Sequence, residues 1–325
     1  MNQVQSIMSL MKHDLNASQL AKLQSVLEAV LSVQKDLPPI DDLICRFETS
    51  KRLIGIKDTS LCQYTLEVRM LAKNLTKPLN QLTTADIKDY LSRYRSEHSI
   101  SMVTIQNKLR FLSSFFEYMV DDGYITKNPI KGIGRILVEK RIKKAFTAED
   151  LARIRDSCRT LRDRALVEFL YSTGCRVSEC TALQVKDIDF RADELIVFGK
   201  GHKERVCYLN KTAKGYLREY LRSREASTDA PLFCHARVDA RLTPRAVELI
   251  LKDIGQKAGV ENVHPHRFRR TFATDLWKAG VPVETIRILM GHSNIATTLK
   301  YIDIDPCGVK QAYTKAQAVI ASRDK

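Results

Sequence analysis

Apolar positions recur at helical spacing along most of the chain. In residues 1–38, Leu20, Leu23, Leu27, Val30 and Leu31 share one helix face, and Pro38-Pro39 ends the segment. Such a helical extension packs on its own domain or meets a partner; periodicity serves both readings. Residues 39–130 read as an all-helical domain. The pattern predicts helices over 41–54, from Thr59-Ser60, after LTTADI with Thr83 or Thr84 as N-cap, and from Ser101 to a stop at Gly123. The last carries the stripe Leu109, Leu112, Phe115, Phe116 and Met119, and its opposite early face carries Thr104, Asn107, Lys108 and Arg110. Asn128-Pro129 closes the domain. KGIGRILVEKRIKK follows, glycine-bearing and dense in Lys and Arg, which makes 131–145 a basic linker: a solvated connection or a segment lying along phosphates.

Order restarts at FTAEDLARI, with Thr147 as N-cap and Glu149 and Asp150 in the first turn. A helix near 161–172 ends at Gly174. ELIVFGKGHKERVCYL alternates and turns at Gly199-Lys200-Gly201, a β-hairpin. Helices are predicted near 212–223, 243–258, 266–279, 282–290, 294–300 and 308–321. The expected fold is mainly α with a small antiparallel β-sheet. Its second domain covers 146–305, and a tail helix lies in 306–325.

Composition narrows the partner. Lys plus Arg number 53 against 38 Asp plus Glu, a net charge of +15. An excess spread along a whole chain suggests a polyanion, nucleic acid first, against the alternative of a generic basic protein. The eight cysteines form no CxxC pair and no zinc spacing. The apolar runs are too short to span a bilayer, and MNQVQSIMSLMKHDL lacks a signal-peptide layout. A reduced, cytoplasmic protein without a membrane partner is expected.

Charge then raises a question of chemistry. HPHRFRRTFATDLWKAG packs His264, His266, Arg267, Arg269 and Arg270 ahead of an amphipathic run. Cleaving a phosphodiester needs fixed cations on the non-bridging oxygens, best supplied by guanidinium forks. It also needs a nucleophile at phosphorus and an acid for the leaving alkoxide. His266 and Arg269, at i and i+3 behind Pro265, share one face of a helix start where backbone N–H groups favour an anion. Alone, HxxR is more commonly just a basic helix start. In ILMGHSNIATTLKY, Gly291 ends a helix, Ser293 can cap the next, His292 sits in the corner, and Tyr301 ends the short helix. In YSTGCRVSEC, Arg176 opens a segment, with Glu179 placed to pair with it. Lys200 at the hairpin tip can enter a groove and give up a proton. No Walker loop or evident paired-carboxylate motif is present, so neither cofactor nor metal is expected.

In order, Arg176, Lys200, His266-x-x-Arg269, His292 and Tyr301 resemble the catalytic set of the tyrosine site-specific recombinases. TGCRVSE, GKGHKER, HPHRFRRTFAT and MGHSNIATTLKY look like the motifs of Xer-type recombinases and phage-type integrases. LTTADIKDYLSRY and TIQNKLRFLSSFFEYMVDDGYITKNP resemble their helical, SAM-like core-binding domain. The resemblance spans about 41–321. It implies that Tyr301 forms a 3′-phosphotyrosine, that Arg176, Arg269 and His292 hold the phosphate, and that Lys200 is the general acid. His266 would help deprotonate Tyr301 or orient the phosphate, and Glu179 would support Arg176.

The resemblance further implies a C-shaped clamp on double-stranded DNA with inverted half-sites. Thr104, Asn107, Lys108 and Arg110 would face DNA from the first domain, and Arg241, Thr243 and Arg245 from the second, with Arg270 as a neighbouring phosphate or structural contact. A homotetramer, or an assembly with a paralogue, would exchange strands through a Holliday junction. The tail stripe Val309, Tyr313, Ala316 and Ile320 would dock on the neighbouring protomer, or pack on its own domain. An enzyme of a mobile element or an Xer-like resolvase is expected, acting at the nucleoid. A type IB topoisomerase-like activity and a non-catalytic DNA-binding regulator are the alternatives.

Overall fold

The computed structural model describes residues 3–12, 14–31, 35–134, 136–137, 144–199, 204–235, 240–302, 313, 314 and 317. The chain divides into two compact units, Met1–Lys140 and Arg141–Lys325.

The first unit begins with α1 (Gln3–Met11) and α2 (Ala17–Leu31), where Leu20, Leu23 and Leu27 are half-buried. Helices α3 (Ile40–Leu53), α4 (Asp58–Asn74), α5 (Thr84–His98) and α6 (Met102–Asp121) surround one core. Helix α3 buries Leu43, Ile44 and Phe47, and α6 buries the whole stripe from Leu109 to Met119. Each such side chain contributes about 1.5–3 kcal/mol of transfer free energy. Thr83 is the N-cap of α5 and forms a capping box with Asp86.

The second unit opens with α7 (Ala148–Asp156), capped by Thr147 as the sequence predicts, in a capping box with Asp150. Helix α8 (Leu161–Thr173) is its central support, buried continuously from Ala165 to Leu170. Even Glu168 is fully buried there, because Arg155 and Arg164 satisfy its carboxylate. Helix α9 (Val177–Ala182) follows Gly174, whose φ of 56° ends α8. Three strands then form an antiparallel sheet in the order β1 (Ile188–Asp189), β2 (Glu194–Phe198), β3 (Glu204–Tyr208). Leu195, Val197 and Cys207 point into the core, while Ile196, Phe198 and Tyr208 stay exposed. β1, only two residues long, was not predicted. Helices α10 (Lys211–Ser223), α11 (Pro244–Ala258), α12 (Pro265–Lys278), α13 (Val283–Met290) and α14 (Ile295–Leu299) complete the described part. Asn294, not Ser293, caps α14, its side chain accepting from the Ala296 N–H at 2.8 Å. The hairpin tip with Lys200, residues 138–143 of the linker, and the tail stripe apart from Tyr313 lie outside the described residues.

Candidate active site

Helix α12 supplies the first two side chains. Its first residue, Pro265, has no N–H to leave unsatisfied, and its fixed φ suits a helix start. His266, next along, is exposed. Arg269, one turn further, is only 1% exposed. The Arg269 guanidinium donates to the Gly174 carbonyl at 2.5 Å, to the Met290 carbonyl, and to His292 Nε2 at 3.0 Å. Its Nε has no partner among the described residues. Burial, then the charges of Arg176 and Arg205, push its pKa down to about 10, so it remains a cation at neutral pH.

His292 follows Gly291, whose left-handed φ of 63° turns the chain out of α13. Its Nδ1 meets Thr298 Oγ1 at 3.0 Å. Burial, then the neighbouring guanidiniums of Arg269 and Arg176, lower the imidazole pKa to about 4. The ring is therefore neutral near pH 7. Because a guanidinium only donates, Nε2 accepts from Arg269, which places the ring proton on Nδ1, donating to Thr298. Helix α14 carries that threonine and leads into Tyr301, whose N–H returns to the Thr298 carbonyl at 2.8 Å. The Tyr301 hydroxyl lies 3.5 Å from His266 Nδ1, and its ring centroid lies 5.2 Å from that of His292.

Arg176 stands at the N-cap of α9 and pairs with Glu179 on the same turn, as the sequence suggests. Its Nη1 donates to Oε1 at 2.8 Å, its backbone N–H to Oε2 at 2.7 Å, and its Nη2 to the Gly291 carbonyl at 3.3 Å. Glu179 is nearly buried and would be raised by that burial. Bonds from Arg205 and Arg176 outweigh it and hold the carboxyl at about 2. Arg205 grips the same carboxylate with both Nη atoms, at 2.8 and 2.7 Å, and donates from Nε to the Leu289 carbonyl at 3.0 Å.

A pattern joins these contacts. The carbonyls of residues 289, 290, 291 and 292 accept from Arg205, Arg269, Arg176 and Arg287 in turn. A helix C-terminus leaves its last carbonyls without intrahelical partners and carries partial negative charge. The end of α13 therefore gathers guanidiniums that would otherwise repel one another.

Sequence reasoning missed Arg205 and Thr298. A signal for Arg205 existed: it lies two residues from the inward-facing Cys207 on an alternating strand, a charge on the buried face. Thr298 is one hydroxyl among many in its region.

Tyr301, His264, His266, Arg267 and Arg270 line an open cleft of about 820 Å³. Arg270 donates to the Lys300 carbonyl at 2.7 Å. Arg267 stacks 4.1 Å over the Phe146 ring and bonds the carbonyls of Lys144 and Ala145, so it anchors the chain entering the second unit. Thr104, Asn107 and Arg110 are exposed on α6. Lys108 requires a correction. It is buried, 2.6 Å from Glu67 and 4.0 Å over the Tyr94 ring, so its ammonium is committed inside the first unit and not held out to a phosphate. Arg241 bonds the Thr181 and Leu183 carbonyls, Thr243 is the N-cap of α11, and Arg245 is exposed beside Glu248.

A mostly helical unit with a small sheet, presenting a tyrosine beside two histidines and a cluster of guanidiniums, defines an enzyme that breaks and rejoins DNA. Residues 144–306 match the model of the phage integrase family, and residues 43–126 match that of the phage integrase N-terminal SAM-like domain. The chain belongs to this family of tyrosine recombinases, which carry out site-specific recombination. It is 34% identical over 250 residues to tyrosine recombinase XerC of Staphylococcus aureus (strain bovine RF122 / ET3-1), covering 73% of this chain and 82% of that protein. It is 33% identical over 289 residues to XerC of Leptospira interrogans serogroup Icterohaemorrhagiae serovar copenhageni (strain Fiocruz L1-130), covering 83% and 93%. Among solved structures, the XerH recombinase bound to palindromic difH substrate shares the fold with a TM-score of 0.67 and 20% identity, covering 96% of this chain and 94% of that one. A lambda integrase dimer bound to a core site gives 0.67 and 20%, covering 81% and 95%.

Proposed function

We propose that this recombinase uses Tyr301 as nucleophile on a scissile phosphate held by Arg176, Arg269 and His292. The phenolic oxygen attacks phosphorus and forms a 3′-phosphotyrosyl bond. The 5′-oxygen leaves and takes a proton from Lys200. His266 receives the tyrosine proton, and Glu179 holds Arg176 in place. Attack by a 5′-hydroxyl of the partner duplex reverses the step and joins the exchanged strand. The covalent link conserves the energy of the broken bond. The observation that carries this reading is the convergence of Tyr301, His266, His292 and Arg269 from α12, α13 and α14. The unpaired Arg269 Nε supports it too, since a phosphate oxygen would satisfy that donor.

DNA is the partner, as double-stranded sites with inverted half-sites. Thr104, Asn107 and Arg110 on one unit, and Thr243, Arg245 and Arg270 on the other, are the proposed contacts. Arg241 serves the same surface while holding the end of α9. Four protomers, alone or with a paralogue, act through a Holliday junction at the nucleoid in the cytoplasm, for a mobile element or in Xer-like resolution.

The test is a nicked suicide duplex carrying the site recovered by binding selection from random-sequence DNA. A covalent adduct on a denaturing gel, lost in Tyr301→Phe while DNA binding persists, is expected. An adduct that survives Tyr301→Phe would overturn the mechanism. Equal adducts on unselected duplex would favour a topoisomerase.

A further inference from the structure

We infer that Arg205 is a positioning residue for DNA cleavage: it occupies Glu179 from the hairpin side, so that Arg176 stays available to the phosphate. The inference rests on the recombinase reading above. Arg205 stands on β3, five residues after Lys200 in the sequence. Its side chain is 8% exposed, and all three guanidinium nitrogens are used: Nη1 and Nη2 on Glu179, Nε on the Leu289 carbonyl. With no donor nitrogen left unpaired, it acts through its neighbours and not on the substrate.

What it does follows from the sharing of Glu179. A carboxylate prefers a bidentate guanidinium fork. Here Arg205 takes that fork, and the Arg176 guanidinium keeps a single bond, Nη1 to Oε1. Without Arg205, Glu179 is released to close on Arg176 and neutralise the cation that should meet the phosphate. Arg176 and Arg205 share this one carboxylate, and the Arg269 guanidinium adds a third positive charge to the same cluster. The surplus positive charge is costly in a buried site until an anion arrives. The surrounding backbone is shaped for Arg205: a Cβ on Gly291 would lie 2.8 Å from its Cδ. Gly291 precedes His292 and its carbonyl accepts from Arg176, so one side chain from the hairpin strand braces both.

The test uses the full chain with Arg205→Met, Arg205→Lys, Glu179→Gln and the double variant Arg205→Met/Glu179→Gln. Adduct formation on the suicide duplex is followed at neutral pH, alongside duplex affinity and melting temperature. Arg205→Met should slow cleavage by about 10- to 100-fold, the usual scale for losing a supporting partner, with duplex affinity changed by no more than about twofold. The double variant should cleave faster than Arg205→Met, since a glutamine at 179 cannot neutralise Arg176. Wild-type cleavage by Arg205→Met overturns the proposal, and so does a double variant no faster than Arg205→Met. If Arg205→Met fails to fold by melting, Arg205→Lys decides. It keeps the charge without the fork, so slowed cleavage supports the role and a wild-type rate overturns it. Failure of wild type to form any adduct would overturn the recombinase reading itself.

Discussion

Gly174→Ala should damage both the stability and the chemistry of the second unit, to an extent set by two separable terms. Gly174 ends α8 with φ 56°, and its carbonyl accepts from Arg269. A side chain in this left-handed region costs about 1–2 kcal/mol. An added Cβ would also lie 2.3 Å from Phe272 Cδ1 and 2.7 Å from Cγ, an overlap the ring must relieve by moving against α12 and its neighbours. Overpacking of this kind costs about 1–3 kcal/mol more. Gly259 is the matched control. It caps α11 with φ 63°, and nothing lies within 4 Å of the point where an added methyl would sit. Gly259→Ala therefore carries the backbone term alone. At about 2–4 °C per kcal/mol for a unit of this size, Gly174→Ala should lower the melting temperature by roughly 4–20 °C, and Gly259→Ala by roughly 2–8 °C. Differential scanning calorimetry of both variants measures the gap. Adduct formation should also slow in Gly174→Ala, because Arg269 loses a correctly placed acceptor. Equal melting temperatures for the two variants would refute the assignment of the extra cost to Phe272.

Two further predictions concern charge. His292 is held neutral in the fold, its pKa lowered from 6.5 to about 4 by burial and then by Arg269, so the unfolded chain binds the extra proton first. Its contribution is fully present above pH 6.5 and is lost as pH falls towards 4, up to about 3 kcal/mol, and urea titrations at several pH values should show this slope flattened in His292→Gln. Lys108→Met should destabilise the first unit by about 3–5 kcal/mol by stranding the half-buried Glu67, whereas Arg110→Ala, on the exposed face, should leave melting unchanged and reduce the salt slope of DNA binding by about one. If Lys108→Met melts as wild type and instead lowers that slope, the interior assignment of Lys108 is wrong.

These contrasts mark what the chain discloses directly. Helices α3 to α6 were legible because apolar side chains repeat with the helix, and Thr83 and Thr147 because a capping hydroxyl acts within its own turn. Lys108 misled for the same reason: as a lysine between Asn107 and Arg110 it shares their composition, and only tertiary packing brings Glu67 and Tyr94 over it. β1 escaped because two residues carry no periodicity. The set proposed for catalysis was legible as residue types in order, and Arg176 with Glu179 as a local pair. The device that assembles it was not. Arg205, Arg269, Arg176 and Arg287 are collected by the carbonyls of residues 289 to 292, and a carbonyl carries no residue identity. Any sequence that ended α13 at the same place would offer the same acceptors. What must be specific is the left-handed turn that exposes them and leaves space for Arg205, and this is why Gly291 stands immediately before His292. The glycine thereby does for the guanidiniums what Pro265 does for His266 and Arg269: it shapes the backbone, and the backbone sets where the charges meet.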